Sequence, residues 1–209
     1  MDIKDLPIGD KIISIFASGE SIRDLTDSDL DRLNRETFSI GINLFDLFVP
    51  TVRVWCDESL TRYWQEHYKN QGLDCLLLTR EQAFHPQKDY PIRDKVEYWF
   101  DHRKESLRDG NWTFWYIIQL LKRYFPKNKI LLFGVDCWNN RSVKIDEDLH
   151  TYVVYTNDQQ KHVDKLIMAF EAMKNDHPWW FENLYNCNLN SNLKCVELIK
   201  YEEVLDGRR

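Results

Sequence analysis

The stretch ISIFASGESIRDL, residues 13–25, opens as a β-branched apolar strand, breaks into the small residues Ala17, Ser18 and Gly19, and continues as a polar segment that reads as a helix start. A strand that ends abruptly in a tight loop before a helix is the first unit of an open α/β sheet. Gly19 is free to take positive φ there, and Ser18 or Ser21 can cap the helical segment after the loop. Such a loop presents backbone N–H groups in one direction and could cradle an anion or a ribose. A plain Ser-Gly turn accounts for the same residues equally well. The loop is not G-x-G-x-x-G and lacks the GK[ST] ending of a Walker loop, which disfavours a hydride-transferring Rossmann enzyme and a P-loop ATPase.

Outward from that unit, apolar runs alternate with amphipathic stretches. Strands are expected at Lys11–Phe16, Thr37–Ile42, Val52–Cys56, Cys75–Thr79, Lys129–Phe133 and Asn183–Asn186. The nearly continuous apolar runs suit strands covered on both faces. Helical spacing falls at Asp27–Arg35, Glu58–Asn70, Thr113–Tyr124 and Gln159–Lys174, where Ile117, Leu120, Leu121 and Tyr124 share one face and Val163, Leu166, Ile167 and Phe170 another. The pattern predicts an α/β fold: a single Rossmann-like domain over 1–209, with a doubly wound, mostly parallel sheet.

Composition narrows the classes further. A chain of 209 residues that is 43% hydrophobic can fill one core and is short for two. No run approaches the about 18 apolar residues that a membrane span needs, and MDIKDLPIGDK lacks the features of a signal peptide, so a cytoplasmic protein is expected. Five scattered cysteines without a CxxC pair argue against a disulfide framework or zinc site and for reduced, mostly buried thiols. A formal charge of −6 opposes a broad nucleic-acid groove. The acid-rich Asp24–Asp31 segment lacks the glycine and terminal glutamate of an EF-hand loop and reads as a helix start capped by Thr26 or Asp27. Trp112, Trp115, Trp179 and Trp180 could stack bases, but at near-helical spacing they read first as core.

In an open α/β sheet, ligands bind beyond the carboxyl ends of the strands. The residues there are polar throughout: Ser18, Gly19, Glu20 and Ser21 after the first strand, Asn43 after the second, Asp57 after the third, and Asp136, Trp138 and Asn139 after LLFG. Taken in order, FASGESIRDL, FSIGINLFDLF, VRVWCDESL, LLFGVDCWNN and LYNCNLNSNLKCVEL resemble the bacterial sialyltransferase superfamily. That superfamily comprises CMP-sialic acid-using glycosyltransferases and relatives of the pyrophosphokinase type that activate hydroxymethylpterin. The resemblance covers about four fifths of the chain, with 80–108 outside its clearest part.

The resemblance implies a nucleotide and donor site made by Ser18, Gly19, Ser21, Asn43, Asp57, Asn111, Thr113, Asp136, Trp138 and Tyr152. Glu20 replaces the proline of the family's G-x-G-P-S loop, and Asp57 replaces an asparagine, so an acceptor-only carboxylate stands where the relatives keep an amide. Gly110-Asn-Trp-Thr113 opens a helix whose dipole favours phosphate, although an ordinary Asn or Thr cap explains it too. Arg108 just before it could neutralise a diphosphate. Trp138 stands near a family tyrosine, and indole can donate but not act as an acid.

Transfer to a hydroxyl calls for a proton acceptor with a near-neutral pKa. His150 fits, within a lid-like segment at 141–157; in another register the base position falls on Tyr155. His162 is a lesser candidate, and His67, His85, His102 and His177 carry no motif support. The expected activity is transfer of a sugar, sialic-acid-like or otherwise, from a nucleotide-sugar donor, with a CMP-sugar first, to a saccharide or small-molecule hydroxyl, with no metal required. The alternative is a magnesium-dependent pyrophosphokinase in which Asp57 and Asp136 hold Mg2+ against a nucleoside triphosphate. A non-catalytic nucleotide-binding module is a third reading. The acidic balance disfavours a nucleic-acid acceptor without closing that option, and oligomerisation stays open.

Overall fold

A computed structural model describes residues 1–108, 113–137 and 157–208. The described strands form one sheet: β1 (Ile13–Phe16), β2 (Phe38–Ile42), β3 (Val52–Trp55), β4 (Leu76–Arg80), β5 (Tyr98–Phe100), β6 (Ile130–Phe133), β7 (Leu184–Asn186) and β8 (Glu197–Leu198). Their order is β5-β4-β3-β2-β1-β6-β7-β8, and every pairing is parallel. The chain winds one way from β1 to β5 and the other way from β6 to β8. The reversal falls between β1 and β6, where Phe16 pairs with Phe133. This is the doubly wound α/β architecture that the sequence predicts.

The described helices that accompany the sheet are α1 (Asp27–Glu36), α2 (Glu58–Gln71), α3 (Thr113–Tyr124), α4 (Asn157–Asp176) and α5 (Tyr201–Leu205). Successive strand residues point to opposite faces, and both faces are apolar. Ile13, Ile15, Ile40 and Val54 pack with Trp115 and Ile117 of α3 and Phe170 of α4. On the other face, Phe16 and Phe133 meet Leu30 and Leu33 of α1 and Val204 of α5, while Trp55 packs with Trp64 of α2. The expected one-sided burial of α3 is exceeded: every residue from Thr113 to Lys122 is buried. The α4 ring Phe170 lies over Trp115 at 4.8 Å, covering the surface that the sheet does not.

Helix α1 begins as expected. The Thr26 hydroxyl accepts from Asp29 N–H at 3.2 Å, and the Asp29 carboxylate accepts from Thr26 N–H at 2.8 Å, a reciprocal capping box. Three elements escape the hydrophobic pattern: β5 and β8, of three and two residues, and the five-residue α5. Trp115 lies in the core as expected, whereas Trp179 is exposed. All five cysteines are free; Cys56 is buried and the others are half-buried.

Candidate functional site

A sheet whose winding reverses between β1 and β6 opens a crevice beyond their carboxyl ends. The loops leaving those strands are stitched together. Gly19 N–H donates to Gly134 O at 2.9 Å, and Ser21 N–H donates to Asp136 Oδ2 at 3.0 Å. The Ser21 hydroxyl donates to Asp136 Oδ1, and Asn188 Nδ2 donates to the same oxygen at 2.7 Å. Asn188 comes from the segment between β7 and β8, which is tied further by Ser191 Oγ donating to Val135 O at 2.7 Å. The loops at the switch point are thus fastened to one another by their own residues.

This corrects the reading of the first loop in two respects. Gly19 takes φ −69°, not a positive value, and neither Ser18 nor Ser21 caps the 3-10 turn Glu20–Asp24 that comes next. Glycine is needed for close approach instead: a Cβ at position 19 would stand 2.3 Å from Gly134 O and 2.7 Å from Asp136 Oδ2. Opposite it, Gly134 takes φ +66°, and a Cβ there would meet Ala17 O at 2.9 Å. The N–H groups of Gly19 and Ser21, expected to face an anion, are spent inside the protein.

Asp136 is likewise committed. It is 4% exposed and receives three hydrogen bonds from Ser21 and Asn188. As a magnesium pair, Asp57 and Asp136 fit poorly, because only Asp57 offers an unengaged carboxylate. Among the described residues no group of three His, Cys, Asp or Glu side chains could hold a metal ion. Arg108, expected to meet a diphosphate, is paired with the Asp176 carboxylate at the end of α4.

Uncommitted polar groups lie instead along the rim, at the ends of β1 to β4 and the start of α3. Ser18 is half-buried, and its hydroxyl has no partner among the described residues. Asn43 sits just past β2 in the left-handed region, φ 57°, with its N–H on Val54 O at 2.7 Å and its carbonyl accepting from Trp64 Nε1 at 3.0 Å. Its side-chain Oδ1 is buried without a hydrogen-bond partner among the described residues. Thr113, the first residue of α3, is 4% exposed, and its hydroxyl lies against the Cys56 thiol with no oxygen or nitrogen partner among the described residues. An orphan such as Asn43 Oδ1 is uncommon, since buried polar groups are nearly always paired.

Asp57 precedes α2 but does not cap it with its side chain. The carboxyl stands exposed at the rim, yet the surrounding protein raises its pKa by desolvation, opposed by the positive charge of Arg80. Arg80, the last residue of β4, donates from Nε to Cys56 O at 3.0 Å and lies over the Tyr116 ring at 5.4 Å. His102 stands 5.5 Å from the same ring, its Nδ1 buried without a partner among the described residues. Burial drives the Cys56 thiol up to about 12, with the neighbouring Thr113 hydroxyl pulling the other way.

Ser18, Asn43, Asp57 and Thr113 therefore share the carboxyl edge with the fastened trio Gly19, Ser21 and Asp136. Asn111, Trp138, His150, Tyr152 and Tyr155, with most of the 141–157 segment, lie outside the described residues. Sequence reasoning missed Arg80 and Tyr116, and set His102 aside for want of a motif. The signal for Arg80 is present in LLLTR, a charge closing an apolar strand, but its weight depends on β4 lying beside β3. No family model, curated protein or solved structure matches the chain.

Proposed function

We propose that the protein is a nucleotide-sugar-dependent glycosyltransferase of the sialyltransferase-like kind, moving a sugar from a donor, a CMP-sugar first, to an acceptor hydroxyl. The observation that supports it is the division of labour at the carboxyl edge. The switch point is locked by Gly19, Ser21 and Asp136, while Ser18, Asn43, Asp57 and Thr113 keep side-chain oxygens that no oxygen or nitrogen of the described residues meets. A locked floor with an unsatisfied polar rim suits a ligand that brings its own donors and acceptors, as a nucleotide and a sugar do.

In this reading Asn43 and Ser18 meet the nucleotide or the donor sugar. The start of α3, with Thr113, lies toward the leaving phosphate, where a helix dipole favours negative charge. Asn111, Trp138 and Tyr152 join it on the strength of the resemblance, and His150 takes the acceptor proton; with Tyr155 at that position the conventional base mechanism is lost. Asp57 adds an acceptor for a sugar hydroxyl, the kind of contact that a carboxylate makes and an amide makes differently. No step requires a metal.

A thermal-shift series with CMP, UDP, GDP and ATP, each with magnesium and with EDTA, tests the reading. A ligand that binds only the native state raises stability by about 2.7 kcal/mol at a hundredfold excess over its dissociation constant. The expected result is a rise in melting temperature with CMP that EDTA leaves intact. A rise confined to ATP with magnesium would transfer support to the pyrophosphokinase, and no rise with any nucleotide at millimolar concentration would remove both. Binding of CMP without release of sugar from any CMP-sugar would identify a non-catalytic module.

A further inference from the structure

We propose that Arg80 anchors an oxyanion subsite at the carboxyl ends of β3 and β4, receiving a phosphoryl or carboxylate group on the two amino groups of its guanidinium. The site deepens the transferase reading and rests on it for its biological role, but the binding step stands by itself.

The geometry around Arg80 is that of a held fork. Its Nε is fixed on Cys56 O at 3.0 Å, and its guanidinium carbon lies 5.4 Å from the centre of the Tyr116 ring, within cation–π range. A side chain gripped at Nε and backed by a ring loses little further freedom when its remaining N–H groups bind. Among the described residues those two amino groups have no hydrogen bond and no ion pair. Arg80 is half-buried and pairs in register with Phe100, so it stands between the ends of two neighbouring strands and not on an outer surface.

Asp57 sharpens the point. It follows β3, the strand next to β4, and its pKa responds to the Arg80 charge, yet the two make no ion pair within 4.0 Å. Other charged pairs of this protein do close, such as Arg93 on Glu81 at 2.7 Å and Lys88 on Glu58 at 2.7 Å. An arginine with an unclosed carboxylate neighbour can accept an anion without first breaking an ion pair. The twelve-residue α3 begins beside them at Thr113, whose buried hydroxyl lies against the Cys56 thiol, so the positive end of its dipole lies toward the same edge. A planar fork plus a helix start selects an oxyanion that can be bound bidentately.

Calorimetric titration in phosphate-free and sulfate-free buffer tests this, with sodium pyrophosphate in one arm and sodium pyruvate in the other to separate phosphoryl from carboxylate recognition. Saturable binding of at least one is expected. Arg80→Gln should weaken it at least tenfold, Arg80→Lys should retain part of it, and Asp57→Asn should tighten it severalfold by removing a nearby negative charge. Arg93→Gln, at an arginine already paired with Glu81, should change nothing. Absence of saturable binding to the wild type at millimolar anion, or an Arg80→Gln affinity within twofold of wild type, overturns the assignment. Should Arg80→Gln fail a urea-melt check of folding, Asp57→Asn decides: unchanged or weaker binding overturns it. No nucleotide or sugar is used in these titrations, so pyrophosphate binding alongside silence in the nucleotide series would keep the subsite and sink the glycosyltransferase reading.

Discussion

Asp136 receives both hydrogen bonds that Ser21 can donate, the N–H on Oδ2 at 3.0 Å and the hydroxyl on Oδ1. Because Asn188 also donates to Oδ1, at 2.7 Å, one buried carboxylate joins the loop after β1, the end of β6 and the segment before β8. The fold's switch point is therefore held by a hydrogen-bonded carboxylate network beside the apolar packing of Phe16 on Phe133. Asp136→Asn keeps the shape but turns an amide donor toward donors already present. A loss of about 2–3 kcal/mol in urea unfolding is expected, against about 1 kcal/mol for Ser21→Ala. A change of less than about 0.5 kcal/mol in the Asn variant would show that the carboxylate is not a fastener.

Gly19 and Gly134 make a close backbone approach in the same network. Gly19→Ala places a methyl group 2.3 Å from a carbonyl oxygen that belongs to the end of β6 and cannot move aside cheaply. Overpacking of this kind costs about 1–3 kcal/mol or more. Gly9→Ala serves as the comparison, since its φ of +57° is strained for alanine while nothing lies within 4 Å of the added carbon. It should lose only the about 1–2 kcal/mol of a left-handed alanine. Equal losses in the two variants, measured by chemical denaturation, would contradict the close-approach explanation.

Much of this arrangement is legible in residues 13–25 and their counterparts. The apolar run ILLF and the β-branched stretch VRVW, interrupted by Arg53, mark β6 and β3, and the amphipathic stretches between the strands mark α1 to α4. The short edge strand YWF and the two-residue β8 carry no period to detect, because their pairing is decided by neighbours far along the chain. The site divides in the same way. That Gly19 matters can be read locally; that it matters for contact with Gly134, and not for a positive φ, depends on β1 lying against β6. Asp136 reads as a ligand-facing strand-end aspartate, and its structural use shows only when Ser21 and Asn188, 115 and 52 positions away, are placed around it. Arg80 shows the reverse case, a charge with no reading of its own in the sequence until Cys56 and Tyr116 are placed around it.

The thiols give a simple chemical check on the site. Burial raises the pKa of all five cysteines, to about 12 for Cys56 and Cys137 and about 11 for Cys195. A thiolate is the reactive form, so none of them is set up as a nucleophile at neutral pH. Iodoacetamide at about pH 8, near the ordinary thiol pKa, should label the native protein much more slowly than the protein in guanidinium chloride, where all five should react. Rapid stoichiometric labelling of Cys56 in the folded state would instead mark an activated thiol beside Asp57 and require a different account of the rim.

Lys122 makes stability depend on pH in a direction opposite to the thiols. It is 3% exposed within α3, its ammonium donates to Glu182 O, and burial lowers its pKa from 10.5 to about 8. Below about pH 8 both folded and unfolded chains hold the proton, and the folded state bears the whole cost of burying the charge. Between about 8 and 10.5 the unfolded chain keeps the proton and the folded one sheds it, so this group makes stability rise with pH, by at most about 1.4 kcal/mol per pH unit. The cysteines, with folded pKa values above their ordinary 9.0, make stability fall as pH climbs past 9. A difference measurement isolates the lysine. Lys122→Met, which removes the charge and keeps the length, should be more stable than wild type at about pH 7, and its advantage should shrink steadily between about pH 8 and 10.5. An advantage that stays flat across that window, in parallel urea titrations of the two proteins, would mean that Lys122 keeps its proton in the folded state and reaches solvent along the α3 surface.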